Sequence, residues 1–358
     1  MSFERKNIAQ MRGYIPGEQS VVEGVIKLNT NENPYPASPL VTDALAGIEV
    51  GDLRRYPPPT ADEFRKTAAQ IHQLNPLNII PTNGGDELLR LAITTFVDAR
   101  ETIAITKPSY SLYPVLTKIQ NCSLTEISLS NNFSLPTNFT DLLKKTKAKM
   151  CIIVNPHAPT GSLLPTSFVD ELAANFPGVL VIDEAYVDFV DPSEKYNCIP
   201  LVDKHKNLLL LRTLSKGYSL AGLRFGYGIA DPSLIEPMIS KTRDSYNTDY
   251  VSQKLATAAL LSQDYSKNIW DKIRWSRQDL MRRLMDLGLK ALPSQSNFLL
   301  TQVPEEVGAS TLYKKLKEKN IFVRYFNEDP LRNNIRISIG SEKENDVLIS
   351  SIRDILEK

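Results

Sequence analysis

Cysteine and histidine are scarce in this 358-residue chain, at three each. Cys122, Cys151 and Cys198 form an odd, widely spaced set with no C-x-x-C pair. That argues against a disulfide framework or a zinc knuckle and suits a reducing cytoplasm. His72, His157 and His205 stand at no metal-ligand spacing, so neither a metal site nor a Ser-His-Asp triad is expected. An excess of charge is also missing, because 42 Lys+Arg against 41 Asp+Glu leave +1. Such a balance offers no footprint for nucleic acid or for an anionic membrane surface. Any anionic ligand must therefore be held by a local site. Apolar runs such as Leu208–Leu211 are too short to cross a bilayer. The polar stretch Met1–Gln19 lacks the apolar core of a secretory signal. A cytoplasmic globular protein is the expectation.

Hydrophobic residues at 42 % and charged residues at 23 % supply material for a large core. The length favours one large domain plus a smaller one. Short apolar runs alternate with helical stretches: Ile79–Thr82, Thr102–Thr106, Ser123–Leu129, Cys151–Val154, Val179–Ile182, Asn207–Leu211 and Phe225–Ile229. Near-continuous apolar strands of this kind predict a mostly parallel sheet covered by helices on both faces. The tail reads as strand, helix, strand, strand, helix from Phe298 to Glu357. The fold class is therefore α/β: a large domain with a mostly parallel central sheet flanked by helices, plus a smaller α/β domain. The expected bounds are an N-terminal arm over 1–40, which joins the small domain in part, a large domain over 41–262 and a small one over 263–358.

Ligands of open parallel sheets gather at the carboxyl ends of the strands. Four polar groups stand there: Gly84-Gly85-Asp86, Asn155-Pro156, Asp183, and Thr213-Leu214-Ser215-Lys216. A carboxylate carried to the edge of the core, as Asp183 is, needs a cationic partner such as a protonated ring nitrogen. Lys216 follows an apolar strand between Ser215 and Gly217, with Arg224 nearby. A partly desolvated lysine near positive charge has a lowered pKa and a usable neutral amine. Gly84-Gly85-Asp86 at a helix start, with Thr213, Ser215 and Arg224, could hold a phosphate. A nucleotide P-loop is excluded, because no G-x-x-x-x-G-K-[ST] occurs.

Asn155-Pro156-His157-Ala158-Pro159-Thr160-Gly161, Asp183-Glu184-Ala185-Tyr186 and Arg212-Thr213-Leu214-Ser215-Lys216-Gly217-Tyr218, closing with Ala221-Gly222-Leu223-Arg224, resemble in order and spacing the fold-type I aminotransferases. The likeness runs over nearly the whole chain. Leu28-Asn29-Thr30-Asn31-Glu32-Asn33-Pro34, Arg55-Tyr56-Pro57 and Asn83-Gly84-Gly85-Asp86-Glu87-Leu88 narrow it to a resemblance with the histidinol-phosphate aminotransferase family. That resemblance implies the cofactor pyridoxal 5'-phosphate, carried by the amine of Lys216, which also moves the proton. It places Asp183 at the ring nitrogen, Asn155 and Tyr186 on the phenolic oxygen, and Tyr110 against the ring face. It assigns the cofactor phosphate to Gly85, Asp86, Thr213, Ser215 and Arg224. Tyr56 would reach into the neighbouring subunit's site, implying a homodimer with shared active sites. One departure exists. The family more often has Asn-Pro-Asn-Asn-Pro-Thr-Gly, where this chain has His157 and Ala158 in the middle. Asn155 is retained, and His157 is not expected to act in catalysis.

Arg324 and Arg336 fall on predicted strands of the small domain, and alternation puts Arg336 and Ser338 on the face opposite the isoleucines. In the family an arginine here holds the anionic end of the substrate, and its planar fork suits carboxylate and phosphate equally. Tyr14 resembles an arm tyrosine that closes over a phosphate substrate. Tyr14, Asn33, Tyr56, Arg324 and Arg336 are the expected substrate residues. The implied reaction passes an amino group from histidinol phosphate to 2-oxoglutarate, giving imidazole-acetol phosphate and glutamate in histidine biosynthesis. An aromatic amino acid aminotransferase and a threonine-phosphate decarboxylase remain alternatives. A regulator built on the same fold is not expected, because the stretch before the first motifs is short and lacks a basic cluster.

Overall fold

The computed structural model describes residues 3–19 and 24–357. Of the expected arm, residues 1–2 and 20–23 lie outside the described residues. The strands are β1 (Ile26–Leu28), β2 (Ile79–Thr82), β3 (Thr102–Lys107), β4 (Ser123–Ser128), β5 (Met150–Val154) and β6 (Val179–Asp183). They continue with β7 (Leu208–Thr213), β8 (Gly226–Ala230), β9 (Lys290–Ala291), β10 (Phe298–Gln302), β11 (Ile321–Tyr325) and β12 (Asn334–Ser338).

Seven of them form one sheet in the order β2-β8-β7-β6-β5-β3-β4. The central strands are parallel, as near-continuous apolar runs predict. β8 runs antiparallel to β7 and to β2. The cause is local: residues 214–225 return the chain at the same end of the sheet, with no crossover helix to carry it back. Both faces are packed. Along β7, Leu208 and Leu210 join Phe64, Ala68, Ile182 and Phe225 on one face. Leu209 and Leu211 join Leu88, Leu89, Ile93 and Tyr113 on the other. A buried side chain of this size contributes about 2 kcal/mol, so the interleaved faces pin the register of every strand end.

The second sheet has the order β1-β11-β12-β10-β9. β1 pairs parallel with β11, Ile26 opposite Ile321 and Leu28 opposite Val323. The N-terminal arm and the C-terminal tail thus share a sheet, and the loop after β1 is delivered to the mouth of the larger one. A helix over Glu342–Leu356 covers this sheet, started by a capping box in which Ser341 and Glu344 satisfy each other's backbone N–H. Between the two sheets runs the helix Gln263–Asp286, whose 24 residues span roughly 36 Å. Its Ile273, Leu280 and Leu284 pack on the small sheet. Its Trp270 Nε1 donates to Gly217 O at 2.8 Å, and its Arg277 donates to Phe189 O and Ser296 O at 3.0 and 2.9 Å. Among the described residues no helix is long and apolar enough to cross a membrane.

Candidate active site

A cavity of about 340 Å³ opens where the two sheets meet. Val154, Asp183, Leu211 and Thr213 reach it from the carboxyl ends of β5, β6 and β7, and Ser215 and Lys216 follow from the loop after β7. Gly85 and Asp86 enter from the helix after β2, Ser109 and Tyr110 from the loop after β3. Arg324 and Arg336 face it from β11 and β12, and Asn29–Glu32 from the loop after β1.

At one end the chain makes an anion cradle. The helix Gly85–Phe96 starts at Gly84, whose φ of 77° is the left-handed region glycine favours, and no side chain caps its first N–H groups. Thr213 Oγ1 donates to Ser215 Oγ at 3.0 Å, Ser215 N donates to Thr213 Oγ1 at 3.1 Å, and Arg224 Nη1 donates to Ser215 Oγ at 3.5 Å. A Cβ on Gly84 would stand 2.8 Å from the Arg224 guanidinium, and one on Gly226 the same distance from the Gly84–Gly85 backbone. Gly226 is therefore needed for the strand to approach the turn, and Gly84 for its left-handed backbone. Free helix N–H groups, two hydroxyls and a guanidinium are the donor set of a phosphate monoester.

Asp183 is 5 % exposed. It accepts from Tyr113 Oη at 2.7 Å and from Ala185 N at 3.1 Å. Burial pushes its carboxyl up to about 6, against the pull of those two donors. Lys216 Nζ donates to Thr30 O at 2.8 Å. Burial and the Arg336 charge lower its amine to about 8, while Glu32 acts in the opposite direction. An amine and a carboxylate thus share one cavity without being paired to each other. A ring bearing a protonatable nitrogen, a carbonyl and a phosphate would meet the carboxylate, the amine and the cradle respectively. These residues fit pyridoxal phosphate.

The substrate side is cationic and aromatic. Arg336 Nη2 donates to Asn29 O at 3.0 Å, its Nε is buried without a partner, and its guanidinium lies 5.2 and 5.8 Å from the rings of Phe298 and Phe326. Arg324 stacks on Phe326 at 5.5 Å. Tyr14 meets Tyr110 edge-on at 5.7 Å, and Tyr110 Oη donates to Asp86 Oδ1 at 3.4 Å.

Three expected residues do not line this chain's own cavity, where Asn155 and Asn33 were expected and Tyr56, assigned to a neighbouring subunit's site, was not. Asn155 is fully buried beside the cavity, but its amide donates to Leu164 O at 3.0 Å and accepts from Leu164 N at 2.8 Å. The residues of that loop that line the cavity are Ala158 and Pro159. Asn33 is not at the substrate end: its Nδ2 donates to Lys216 O at 3.2 Å, tying the arm to the lysine's backbone. Tyr56 is 78 % exposed and stacks on Tyr246 at 4.2 Å, outside this chain's own cavity. His157 bridges Thr160 Oγ1 and Pro108 O through both ring nitrogens, and does not line the cavity. Two residues with no expected role take part. Tyr113 holds Asp183 from the first turn of the helix Leu112–Ile119, and nothing in the local sequence singled it out. Asn31 donates to Tyr186 Oη at 3.0 Å.

The sequence profile of the aminotransferase class I and II family matches residues 23–352. A histidinol-phosphate aminotransferase 1 from Nostoc sp. is 41 % identical, covering 99 % of either chain. One from Trichormus variabilis is 40 % identical over 99 % of both. The crystal structure of histidinol-phosphate aminotransferase from Sinorhizobium meliloti in complex with pyridoxal-5'-phosphate superposes with a TM-score of 0.92. It has 25 % identity and covers 100 % of this chain and 98 % of that one. L-threonine-O-3-phosphate decarboxylase from Porphyromonas gingivalis shares the fold at 21 % identity and a TM-score of 0.81.

The lowered amine has a direct readout. Labelling of Lys216 by an amine-reactive reagent, followed by peptide mass spectrometry, is expected to rise with pH through a midpoint near 8. Arg336→Met removes a neighbouring positive charge and should move that midpoint up, and Glu32→Gln should move it down. A midpoint near the ordinary lysine value of about 10.4 in the parent protein would contradict the description.

Proposed function

The chain belongs to the class I and II aminotransferase family, and on that premise we propose that it transfers the amino group of histidinol phosphate to 2-oxoglutarate. The products are imidazole-acetol phosphate and glutamate, a step of histidine biosynthesis. The observation that carries the reading is the single cavity that joins Lys216 and Asp183 to an anion cradle at one end and to Arg324 and Arg336 at the other. Full-length relatives named as histidinol-phosphate aminotransferases support the substrate. The threonine-phosphate decarboxylase likeness, at 21 % identity, speaks for the fold alone. The reaction fits a cytoplasmic protein.

Pyridoxal phosphate, when bound, supplies a carbonyl carbon and an electron-accepting ring. Gly85, Asp86, Thr213, Ser215 and Arg224 would hold its phosphate, Asp183 its ring nitrogen, Tyr186 its phenolic oxygen and Tyr110 its ring face. Burial lowers the Lys216 amine to about 8, which brings its neutral form within reach near neutral pH, so Nζ can act as nucleophile and can take up and return a proton. The Thr30 carbonyl holds that amine in place until it reacts. Tyr113 keeps the Asp183 carboxylate turned toward the ring nitrogen. Tyr14, Arg324 and Arg336 would clamp the anionic end of the substrate. A guanidinium fork binds a phosphate ester and a carboxylate with the same geometry, so one clamp serves both the donor and 2-oxoglutarate. Residues 41–262 would be the cofactor-holding unit, with 263–358 and part of the 1–40 arm supplying the clamp.

Purified enzyme should turn over histidinol phosphate at least tenfold faster, in kcat/KM, than phenylalanine, tyrosine or threonine phosphate, a margin of about 1.4 kcal/mol in transition-state binding. Faster turnover of an unphosphorylated aromatic donor would replace the substrate, and release of carbon dioxide from threonine phosphate would replace the reaction.

The reading extends to a homodimer with shared sites. Tyr56 is exposed and shares a surface groove with Leu53, Arg55 and Tyr246. Inactive Lys216→Ala and Tyr56→Phe chains, dissociated and mixed, should recover roughly a quarter of wild-type activity, because half the dimers are hybrid and each hybrid has one intact site. No recovery from a mixture proven to contain hybrids would mean that Tyr56 serves no neighbouring site.

A further inference from the structure

We propose that Asn31 is a positioning residue that fixes the direction of the Tyr186 hydrogen bond, so that the tyrosine hydroxyl always offers its proton to the cavity. The inference rests on the cofactor reading above, in which Tyr186 meets the phenolic oxygen of the ring. It starts from hydrogen-bond inventory. A hydroxyl has one proton to donate, and an amide side chain has one accepting and one donating end. Where both neighbours of such a group are fixed, its direction is fixed too.

The chain of donors begins in the small sheet. Asn31 N donates to Ser338 Oγ at 2.9 Å. The Ser338 hydroxyl donates in turn to Asn31 Oδ1 at 3.1 Å. The other end of the amide, Nδ2, then donates to Tyr186 Oη at 3.0 Å. Asn31 can address Ser338 with both backbone and side chain because its φ is 57°, a left-handed conformation that asparagine tolerates. Asn297 Nδ2 holds the carbonyl of the same residue at 3.0 Å. Asn31 and Ser338 are each 1 % exposed and Asn297 is fully buried, so water does not enter the relay.

Turning the amide over would point Nδ2 at Ser338 Oγ and carry Oδ1, the acceptor of the serine proton, away from it. It would also leave the serine proton with no acceptor. A buried donor without a partner is costly. The flipped state would let Tyr186 donate to Asn31 Oδ1, and its proton would be withdrawn from the cavity. Ser338, on a strand of the small sheet, thus sets the polarity of a tyrosine in the turn after β6 of the large one.

In the 155–159 loop the Asn155 amide gives one N–H to Leu164 O and accepts from Leu164 N, and Ala158 presents only a methyl group to the cavity. The charged and titratable groups facing Tyr186 are Arg336, Asp183 and Tyr14, with Tyr110 and Tyr113 beyond them. Arg336 favours a negative charge on the tyrosine oxygen, and Asp183 and Tyr14 oppose it.

The test is spectroscopic and needs no substrate. Enzyme loaded with pyridoxal phosphate is titrated with acid and base, and the pH midpoint of its visible absorbance change is read. A donor to the phenolic oxygen disperses its negative charge, so losing the donor makes the proton shared at that oxygen harder to remove. Tyr186→Phe should therefore raise the midpoint by about one pH unit. Ser338→Ala frees the amide to turn and should raise it in the same direction, while Ser338→Thr, which keeps the hydroxyl, should leave it in place. In the Tyr186→Phe background, Ser338→Ala should add nothing, the signature of one pathway. The proposal is overturned if Ser338→Ala leaves the midpoint unmoved, or if its shift persists without Tyr186. A wild type with no visible absorbance would overturn the cofactor reading itself.

Discussion

Lys216 and Asp183 lie in one cavity, the carboxylate buried and the lysine half-buried, and neither neutralises the other. The carboxylate takes its hydrogen bonds from Tyr113 and Ala185, and the amine gives its own to the Thr30 carbonyl. Left in this state each group is driven toward its uncharged form, the acid up to about 6 and the amine down to about 8. A protein holds such a pair at a cost, because desolvation penalises each charge and no ion pair repays it. The rest of the structure is arranged around that constraint. A ring with a basic nitrogen would meet the carboxylate and a carbonyl would meet the amine, and both are the demands of a transaminase.

The spacing of the two groups depends on what lies beneath them. Arg212 Nε meets Glu184 Oε2 at 2.6 Å, and Glu184 Oε1 accepts from Tyr196 Oη at 2.8 Å. Glu184 is the residue after Asp183, and Arg212 lies four before Lys216. This buried pair therefore ties the end of β6 to the end of β7. Losing one partner of such a pair leaves an uncompensated buried charge, about 3–5 kcal/mol, which makes the tie stiff. The helix Gln263–Asp286 adds a second tie through Trp270 to Gly217, the residue after the lysine. Gly217 itself admits no Cβ, which would run into the Asp188 carboxylate. The amine is thus placed by contacts on three sides and not by its own flexible stem.

Much of this was legible in the sequence because it obeys a short-range rule. Apolar runs end in polar residues, and a parallel sheet gathers those ends. Asp183, Thr213, Ser215 and Lys216 were readable for that reason, as was the double glycine at a helix start. Residues in irregular loops were not. In 155–161 no period of 2 or 3.6 tells which side chain turns inward, and the amide at Asn155 turns to Leu164 while Ala158 faces the cavity. Asn33 and Asn31 stand two residues apart in a turn. Only the left-handed backbone at Asn31 decides that Asn31 reaches Tyr186 while Asn33 reaches the Lys216 carbonyl. The antiparallel course of β8 escaped the alternating pattern of strands and helices, because a buried strand reads the same in either direction.

The central claim is that Lys216 is the residue through which pyridoxal phosphate is held. Borohydride reduction of the loaded enzyme converts such a link into a stable secondary amine, and proteolysis with mass spectrometry locates it. The account predicts a single pyridoxyl group on the peptide containing Lys216. A pyridoxyl group on any other lysine, or none after reduction of fully loaded protein, would contradict it.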